Sequence, residues 1–289
     1  MKAIEFFSGI GGMAFALKES GSAVTAAYDQ NRTANRVYAL NHGLEPSPKN
    51  VTSLGAEEIR NAGARLWLLS PPCQPYTIRG RRRDLEDPRA QGLLHLIRLL
   101  EECLPRSLLL ENVVPFSRSE TRERLLETLR RARYRILERT LCPTGLGIPN
   151  RRPRYYLLAS LDGLQADVKY RRFTSPLAAY LDEEPPAGLA VEPHLIERFL
   201  KAVDTASESG IAACFTRSYG RTIVRSGSYL KTAEGFRRFS PAEIARLLHF
   251  PASFRFPEGL TLQVKYRLLG NSVNVAVVGE LLRHLPRAE

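Results

Sequence analysis

Apolar and polar positions in the first 160 residues follow two alternating rhythms. Short, nearly continuous apolar runs predict strands at "KAIEFF" (2–7), "AVTAAYD" (23–29), "RLWLLS" (65–70), "SLLLEN" (107–112), "YRILERTL" (134–141) and "RYYLLAS" (154–160). Between them lie segments that read as helices: "AFALKES" (14–20), "NRTANRVYALNHG" (31–43), "AEEIRNAG" (56–63), "LLHLIRLLEECL" (93–104) and "RERLLETLRRA" (122–132). The fourth of these puts Leu93, Ile97, Leu100 and Leu104 on one face at the 3.6-residue period. Strands alternating with helices predict an α/β fold with a mostly parallel sheet covered on both faces.

Near residue 162 the alternation breaks. Residues 163–235 carry proline pairs, glycines, serines and scattered aromatics, and read as a small lobe or large insertion. The pattern returns at "SPAEIARLLHF" (240–250), where Ser240 with Glu243 three residues on forms a capping-box signature. "NSVNVAVVGELLRHL" (271–285) reads as a final amphipathic helix. The expected division is therefore 1–162 with 236–289 for the sheet domain and 163–235 for the lobe.

Composition narrows the class. The chain has 289 residues and is 44% hydrophobic, enough for one large domain or a domain plus a lobe. No run of eighteen apolar residues occurs, and the N-terminus is too glycine-rich and its apolar part too short for a signal peptide. Cys73, Cys103, Cys142 and Cys214 are scattered, with no C-x-x-C pair, so no metal site is expected and a reduced, cytoplasmic protein is the simplest fit. Lys and Arg total 42 against 30 acids, a net charge of +12. That excess points to a polyanion partner such as nucleic acid, although a generally basic proteome gives the same charge. Nothing suggests more than a monomer.

Several stretches carry candidate chemistry. In "SPPCQPYT" (70–77), Pro71, Pro72 and Pro75 stiffen the backbone around Cys73, either to aim a thiol or simply as a rigid loop. "FFSGIGG" (6–12) is a glycine turn between strand and helix that lacks the full dinucleotide fingerprint. Asp29, about twenty residues on at the end of the second strand, stands where such folds grip a ribose hydroxyl, or caps the next helix. Glu111 ends an apolar strand, the place for a proton-donating carboxyl, or for a cap. "IPNRRPRYY" (148–156) sets Arg152 and Arg154 two apart at the entry to a strand, so both are expected on one face, for a base edge or phosphate, or as a solvated charge run. "RGRRRD" (79–84) holds Arg79, Arg81, Arg82 and Arg83, a phosphate-contacting or an exposed segment.

In this order, "FFSGIGG", "PPCQP", "ENV", "NRRPR" and "GNSVNVAVVGELL" resemble the motifs of cytosine-C5 methyltransferases, and the resemblance runs from Met1 to the final helix. It implies a Rossmann-like domain dependent on S-adenosyl-L-methionine, leaving S-adenosyl-L-homocysteine, and a small target-recognition lobe. By it, Phe7, Ser8, Gly9, Gly11 and Gly12 hold the methionine end of the cofactor and Asp29 the ribose. Gln30 and Val51 pack the adenine, and Asn50 stands where bacterial members usually carry Asp. Pro72 and the final motif's Asn271, Ser272 and Val273 complete the cofactor set. Cys73 matches the nucleophile, Glu111 the acid, and Arg152 and Arg154 the arginines of the eighth motif, with Arg152 expected on the base O2. Asn150 replaces the Gln that usually opens that motif.

The family mostly methylates DNA. "CFTRSYG" (214–220) and "PTGLGIPNRRPRYY" (143–156) are similar instead to the branch that methylates cytosine 38 in the anticodon loop of transfer RNA. This places Cys214, Phe215 and Thr216 near the target pocket; their plain alternative is one more small buried strand. Transfer RNA is thus the expected partner and DNA the alternative. A zinc deaminase would need a second cysteine three residues after Cys73, where Tyr76 stands. An amino-methyltransferase would have an aromatic residue after Pro72. A dehydrogenase leaves Cys73 unexplained, and a catalytically silent binding module leaves Cys73, Glu111 and Arg152 without a task.

Overall fold

The structure is a computed structural model and describes residues 1–77, 84–199 and 202–286. The chain divides into two compact units, Met1–Leu141 with Pro153–Lys169 and Val278–Glu289, and Cys142–Arg152 with Tyr170–Val277.

The first unit is built on a six-stranded sheet. Its strands are β1 (Lys2–Phe6), β2 (Ala23–Tyr28), β3 (Leu66–Leu69), β4 (Ser107–Asn112), β5 (Arg135–Leu141) and, after a two-residue strand β6 (Asn150–Arg151) that pairs elsewhere, β7 (Arg154–Ser160). Their order is β2-β1-β3-β4-β7-β5. The first four are parallel; β7 runs antiparallel to both neighbours. Every residue of β3 and β4 is buried, which is why these strands read as unbroken apolar runs. The connections carry α1 (Gly12–Lys18), α2 (Arg32–His42), α3 (Ala56–Asn61), α4 (Gln91–Cys103) and α5 (Glu120–Arg131). Leu93, Leu96, Ile97 and Leu100 of α4 pack with Trp67, Leu69, Leu108 and Leu110 in the main core, where Phe6 meets the Trp67 ring edge-on at 5.2 Å. Leu104, expected on that apolar face, instead ends α4 in the left-handed conformation and is 47% exposed.

This topology collects the ends of four strands on one edge. The glycine turn follows β1, Asp29 follows β2, the proline-rich loop follows β3, and Glu111 and Asn112 finish β4. Because β7 is antiparallel, its beginning lies on the same edge, with Tyr155 opposite Asn112. In open α/β sheets this edge is where ligands bind.

The second unit has its own sheet, which the irregular sequence pattern did not announce. Strands β8 (Ala190–Val191), β9 (Asp204–Ala206), β11 (Ser228–Thr232) and β12 (Gly235–Arg238) are ordered β8-β12-β11-β9, while the two-residue β10 (Ala212–Ala213) pairs with β6. Helices α6 (Pro193–Arg198), α7 (Pro241–Leu247) and α8 (Leu262–Gly270) also belong to it. Residues 236–277, expected with the large sheet, thus fall in this unit: β12 forms a hairpin with β11, and Tyr266 of α8 donates to the Phe239 carbonyl at 2.7 Å. The final helix α9 (Val275–Leu282) starts four residues later than expected, because Asn274 caps it by accepting from the Val277 amide. Asn271 to Val273 are therefore loop between two helices. Among the described residues no helix is long and apolar enough to cross a membrane.

The capping box at α7 is fully formed. Ser240 Oγ accepts from the Glu243 amide at 3.1 Å, and Glu243 returns the bond to the Ser240 amide at 2.7 Å. Ser240→Ala is expected to cost about 1–2 kcal/mol of stability, read as a lower urea midpoint with an unchanged slope.

Candidate functional site

The glycine turn is held open by its neighbours. Phe7 leaves β1 with φ 57°, and Gly9 and Gly11 follow at 54° and 82°, in the region that glycine tolerates best. The Gly11 amide donates to the Ser8 carbonyl at 3.0 Å, closing the turn. Asp29 clamps it from the side: Oδ2 accepts from the Gly9 amide at 2.8 Å and Oδ1 from the Asn31 amide at 2.7 Å. A side chain at Gly9 would project into open space, whereas a Cβ at Gly11 would lie 2.3 Å from His42 Nε2. Ser8 Oγ is buried with no hydrogen-bond partner. Beside the turn, the Phe7 ring lies close over Gly92, with Val51 next to it. Asn50 accepts from the Thr52 amide and so fixes the short turn that buries Val51, while Gln30 is exposed. An unmatched hydroxyl, an open glycine and a flat apolar wall suit a ligand with a polar end and an aromatic end.

The cysteine loop is anchored at both ends of its proline run. Ser70 Oγ donates to the Phe7 carbonyl at 3.0 Å, joining this loop to the glycine turn. Asn112 Nδ2 donates to the Pro71 carbonyl at 3.3 Å, joining it to β4. The Tyr76 amide donates to the Cys73 carbonyl at 3.0 Å, so the backbone turns tightly after the cysteine. Tyr76 packs edge-on against Phe116 at 4.8 Å. Cys73 and Pro72 are half-buried. Arg89 lies within electrostatic range of Cys73 and is gripped by Asp87, Nε to Oδ1 at 2.9 Å and Nη2 to Oδ2 at 2.7 Å.

Next to this loop, Glu111 is buried on β4 and pairs with Arg154, whose Nε is 3.2 Å from Oε1. The two arginines do not share a face. Arg152 and Pro153 lie between β6 and β7, which belong to different sheets, and Arg154 opens β7. Arg154 joins Glu111 in the first unit. Arg152 belongs to the second unit, where its guanidinium donates to Phe215 O, Cys214 Sγ, Gly270 O and Ser272 O. Cys214, Phe215 and Thr216 form a loop after β10, not a strand; Phe215 is buried among Tyr219 and Phe239. Asn271 is exposed and Val273 buried. Arg79, Arg81, Arg82 and Arg83 lie outside the described residues.

Sequence reasoning singled out Glu111 and passed over its neighbour Asn112, which ties the cysteine loop to the strand carrying the carboxylate. It also passed over Asp84, whose carboxylate accepts from the Glu120 and Thr121 amides and from the Thr121 hydroxyl, pinning the chain after residue 83 to α5. The signals were there, an Asn inside "ENV" and an Asp closing the arginine run, but their partners are 41 and 36 or 37 residues away.

Known proteins resemble the chain over almost its whole length. The family model described as C-5 cytosine-specific DNA methylase matches residues 1–185 and 201–287. A Schizosaccharomyces pombe protein named tRNA (cytosine(38)-C(5))-methyltransferase is 33% identical, covering 98% of this chain and 96% of the relative. A Dictyostelium discoideum protein named DNA (cytosine-5)-methyltransferase is 31% identical, covering 99% and 94%. Among solved structures, the Entamoeba histolytica methyltransferase EhMeth superposes with a TM-score of 0.92 at 29% identity, covering 98% of this chain and 96% of that one.

One buried carboxyl under the glycine turn has a measurable consequence. Glu5 is 1% exposed and accepts from the Tyr38 hydroxyl at 2.9 Å. Burial, reinforced by the Asp29 carboxylate, pushes its pKa up to about 8. Between its ordinary value and about 8, the folded chain holds a proton that the unfolded chain has released, so stability falls as pH rises through that window. Glu5→Gln removes this loss. The variant is expected to match the wild type near pH 4.5 and to be more stable than it by roughly a few kcal/mol above pH 8. Calorimetric melting across this range checks it; a gap independent of pH would refute it.

Proposed function

Because the chain belongs to the family of C-5 cytosine-specific methylases, S-adenosylmethionine-dependent enzymes that methylate C5 of cytosine, we propose that its substrate is a cytosine of transfer RNA, at position 38 of the anticodon loop. The fungal relative's name and the Cys214-Phe215-Thr216 signature support this reading. The Dictyostelium relative's name supports DNA as the second reading. A loop base is already poorly stacked, so drawing it into a pocket costs less than extruding it from a duplex.

The observation that carries the mechanism is the grouping of Cys73, Glu111 and Arg154 at one edge of the sheet, tied together through Asn112. Cytosine C5 is a poor nucleophile. In our reading the Cys73 thiolate adds to C6, which gives C5 enamine character. Glu111 bonds N3 and the exocyclic amine, and Arg154 orients Glu111. S-adenosylmethionine supplies the methyl group as a sulfonium. After transfer to C5, the C5 proton leaves to a base and the Cys73–C6 bond breaks, restoring the aromatic ring and the thiolate. The residues beside β1 fit this cofactor. Ser8 Oγ and the open turn at Gly9 suit its amino-acid end, Asp29 and Gln30 its ribose and adenine edge, and the wall of Phe7 and Val51 the adenine face. We assign target recognition to the segment 163–235.

The test is transfer of labelled methyl groups to unmodified transfer RNA and to unmethylated duplex DNA. Label is expected in transfer RNA at position 38. Cys73→Ala should reduce it at least about 1,000-fold and Glu111→Gln about 100-fold, with S-adenosylhomocysteine binding kept in both. Label in DNA alone would overturn the substrate and leave the chemistry standing.

A further inference from the structure

Arg152 is bound in an unusual way for a residue expected to touch the base. It is 3% exposed. Nη1 donates to Phe215 O at 3.0 Å and to Cys214 Sγ at 3.2 Å. Nη2 donates to Gly270 O at 3.1 Å and to Ser272 O. A guanidinium carries five N–H groups, four of them on the two Nη atoms. Among the described residues these four acceptors equal the Nη hydrogens in number, and none of them engages the fifth N–H, on Nε. Its own amide donates to Cys142 Sγ at 3.3 Å, and Asn150 two residues before donates to the Ala212 and Ala213 carbonyls at 3.3 and 3.1 Å. The two segments it spans already touch: a Cβ at Gly270 would lie 2.3 Å from the Thr216 carbonyl carbon and 2.4 Å from the Arg217 nitrogen.

We propose that Arg152 is a positioning residue for methyl transfer, holding the Cys214–Thr216 and Gly270–Ser272 segments in one register and acting through them instead of gripping the cytosine. The substrate in this statement rests on the function proposed above. A two-bond grip on a base edge needs a pair of parallel N–H groups. Any such pair includes at least one Nη hydrogen, so freeing it would take a donor from at least one of the two segments, and buried acceptors stripped of partners are costly. A lysine could not replace it, since an ammonium donates from one point and cannot span acceptors on two segments in a planar fork.

Two variants of the full chain test this, Arg152→Lys and Gly270→Ala. The second pushes the same segments apart while leaving the arginine in place, and it carries the test if the first does not fold. Each is expected to speed amide hydrogen exchange at least about tenfold in both 214–217 and 270–272. Each should also raise KM for transfer RNA at least about tenfold while kcat at saturation stays within about threefold. A fall in kcat with KM and exchange unchanged would mean direct base contact and overturn the proposal. So would a lower melting temperature with exchange and KM unchanged well below it. If the wild type methylates no transfer RNA, the substrate reading fails, and exchange alone still decides. Joint acceleration in the two segments supports the register, and acceleration in one or neither refutes it.

Discussion

The hydrogen bond from Asn112 to the Pro71 carbonyl sets the distance scale of the site. It adds to the Ser70 bond to Phe7 and to the packing of Tyr76 on Phe116, which hold the same proline-rich loop. It joins the loop carrying Cys73 directly to the strand carrying Glu111. The reaction proposed above depends on such a link, since it brings the Cys73 thiol to C6 and the Glu111 carboxyl to N3, and a misplacement of about 1 Å is enough to lose much of the rate. The prolines restrict the loop's own backbone, and Asn112 and Ser70 decide where that stiff loop sits. Local rigidity and long-range anchoring are separate requirements, and the chain meets them with different residues.

The same division explains what could be read from the sequence. Features fixed by neighbours along the chain were legible. The capping box of Ser240 and Glu243, the buried run "SLLLEN" and the cap of α2 by Gly43 all depend on residues within a few positions. Features fixed by distant partners were not. Asn112 finds its acceptor 41 residues away, and Arg152 finds Gly270 118 residues away. The second sheet was missed for a related reason. Its strands are two to five residues long, too short to establish an alternation, and β11 draws its pairing partners from both sides of the chain. Leu104 shows the opposite error. Its spacing is right for the buried face of α4, but the helix ends there and a left-handed residue no longer projects with the row.

Electrostatics reinforce the geometry at two of the strand ends. Glu111 is buried but faces Arg154, and Cys73 has Arg89 nearby, held in place by the buried Asp87. Each reactive group thus has a cation that is itself restrained. Glu5 and Asp29 differ, being carboxyls that burial drives toward the neutral form. Glu5 sits beneath the glycine turn, bonded to Tyr38, whose ring packs with that of His42, and the His42 ring fills the space a side chain at Gly11 would need. A carboxyl kept neutral in this tightly packed floor puts no negative charge beneath the turn.

The pair Arg152 and Arg154 brings these threads together. Two residues apart in an extended chain, they ought to present matching guanidiniums to one ligand. The chain changes sheet between them, at Arg152 and Pro153, so each arginine goes with a different element. Arg154 starts β7 beside the carboxylate at the end of antiparallel β4, and its charge is spent on that carboxylate. Arg152 follows β6, and its Nη groups meet three carbonyls and a sulfur. Neutral acceptors cannot tune an acid, but they can hold backbone segments in place through a planar, multiply bonded fork. The chemistry available to each arginine is therefore set by its acceptors, a carboxylate in one case and peptide carbonyls in the other, and a motif that spells them as equivalents conceals two different tasks.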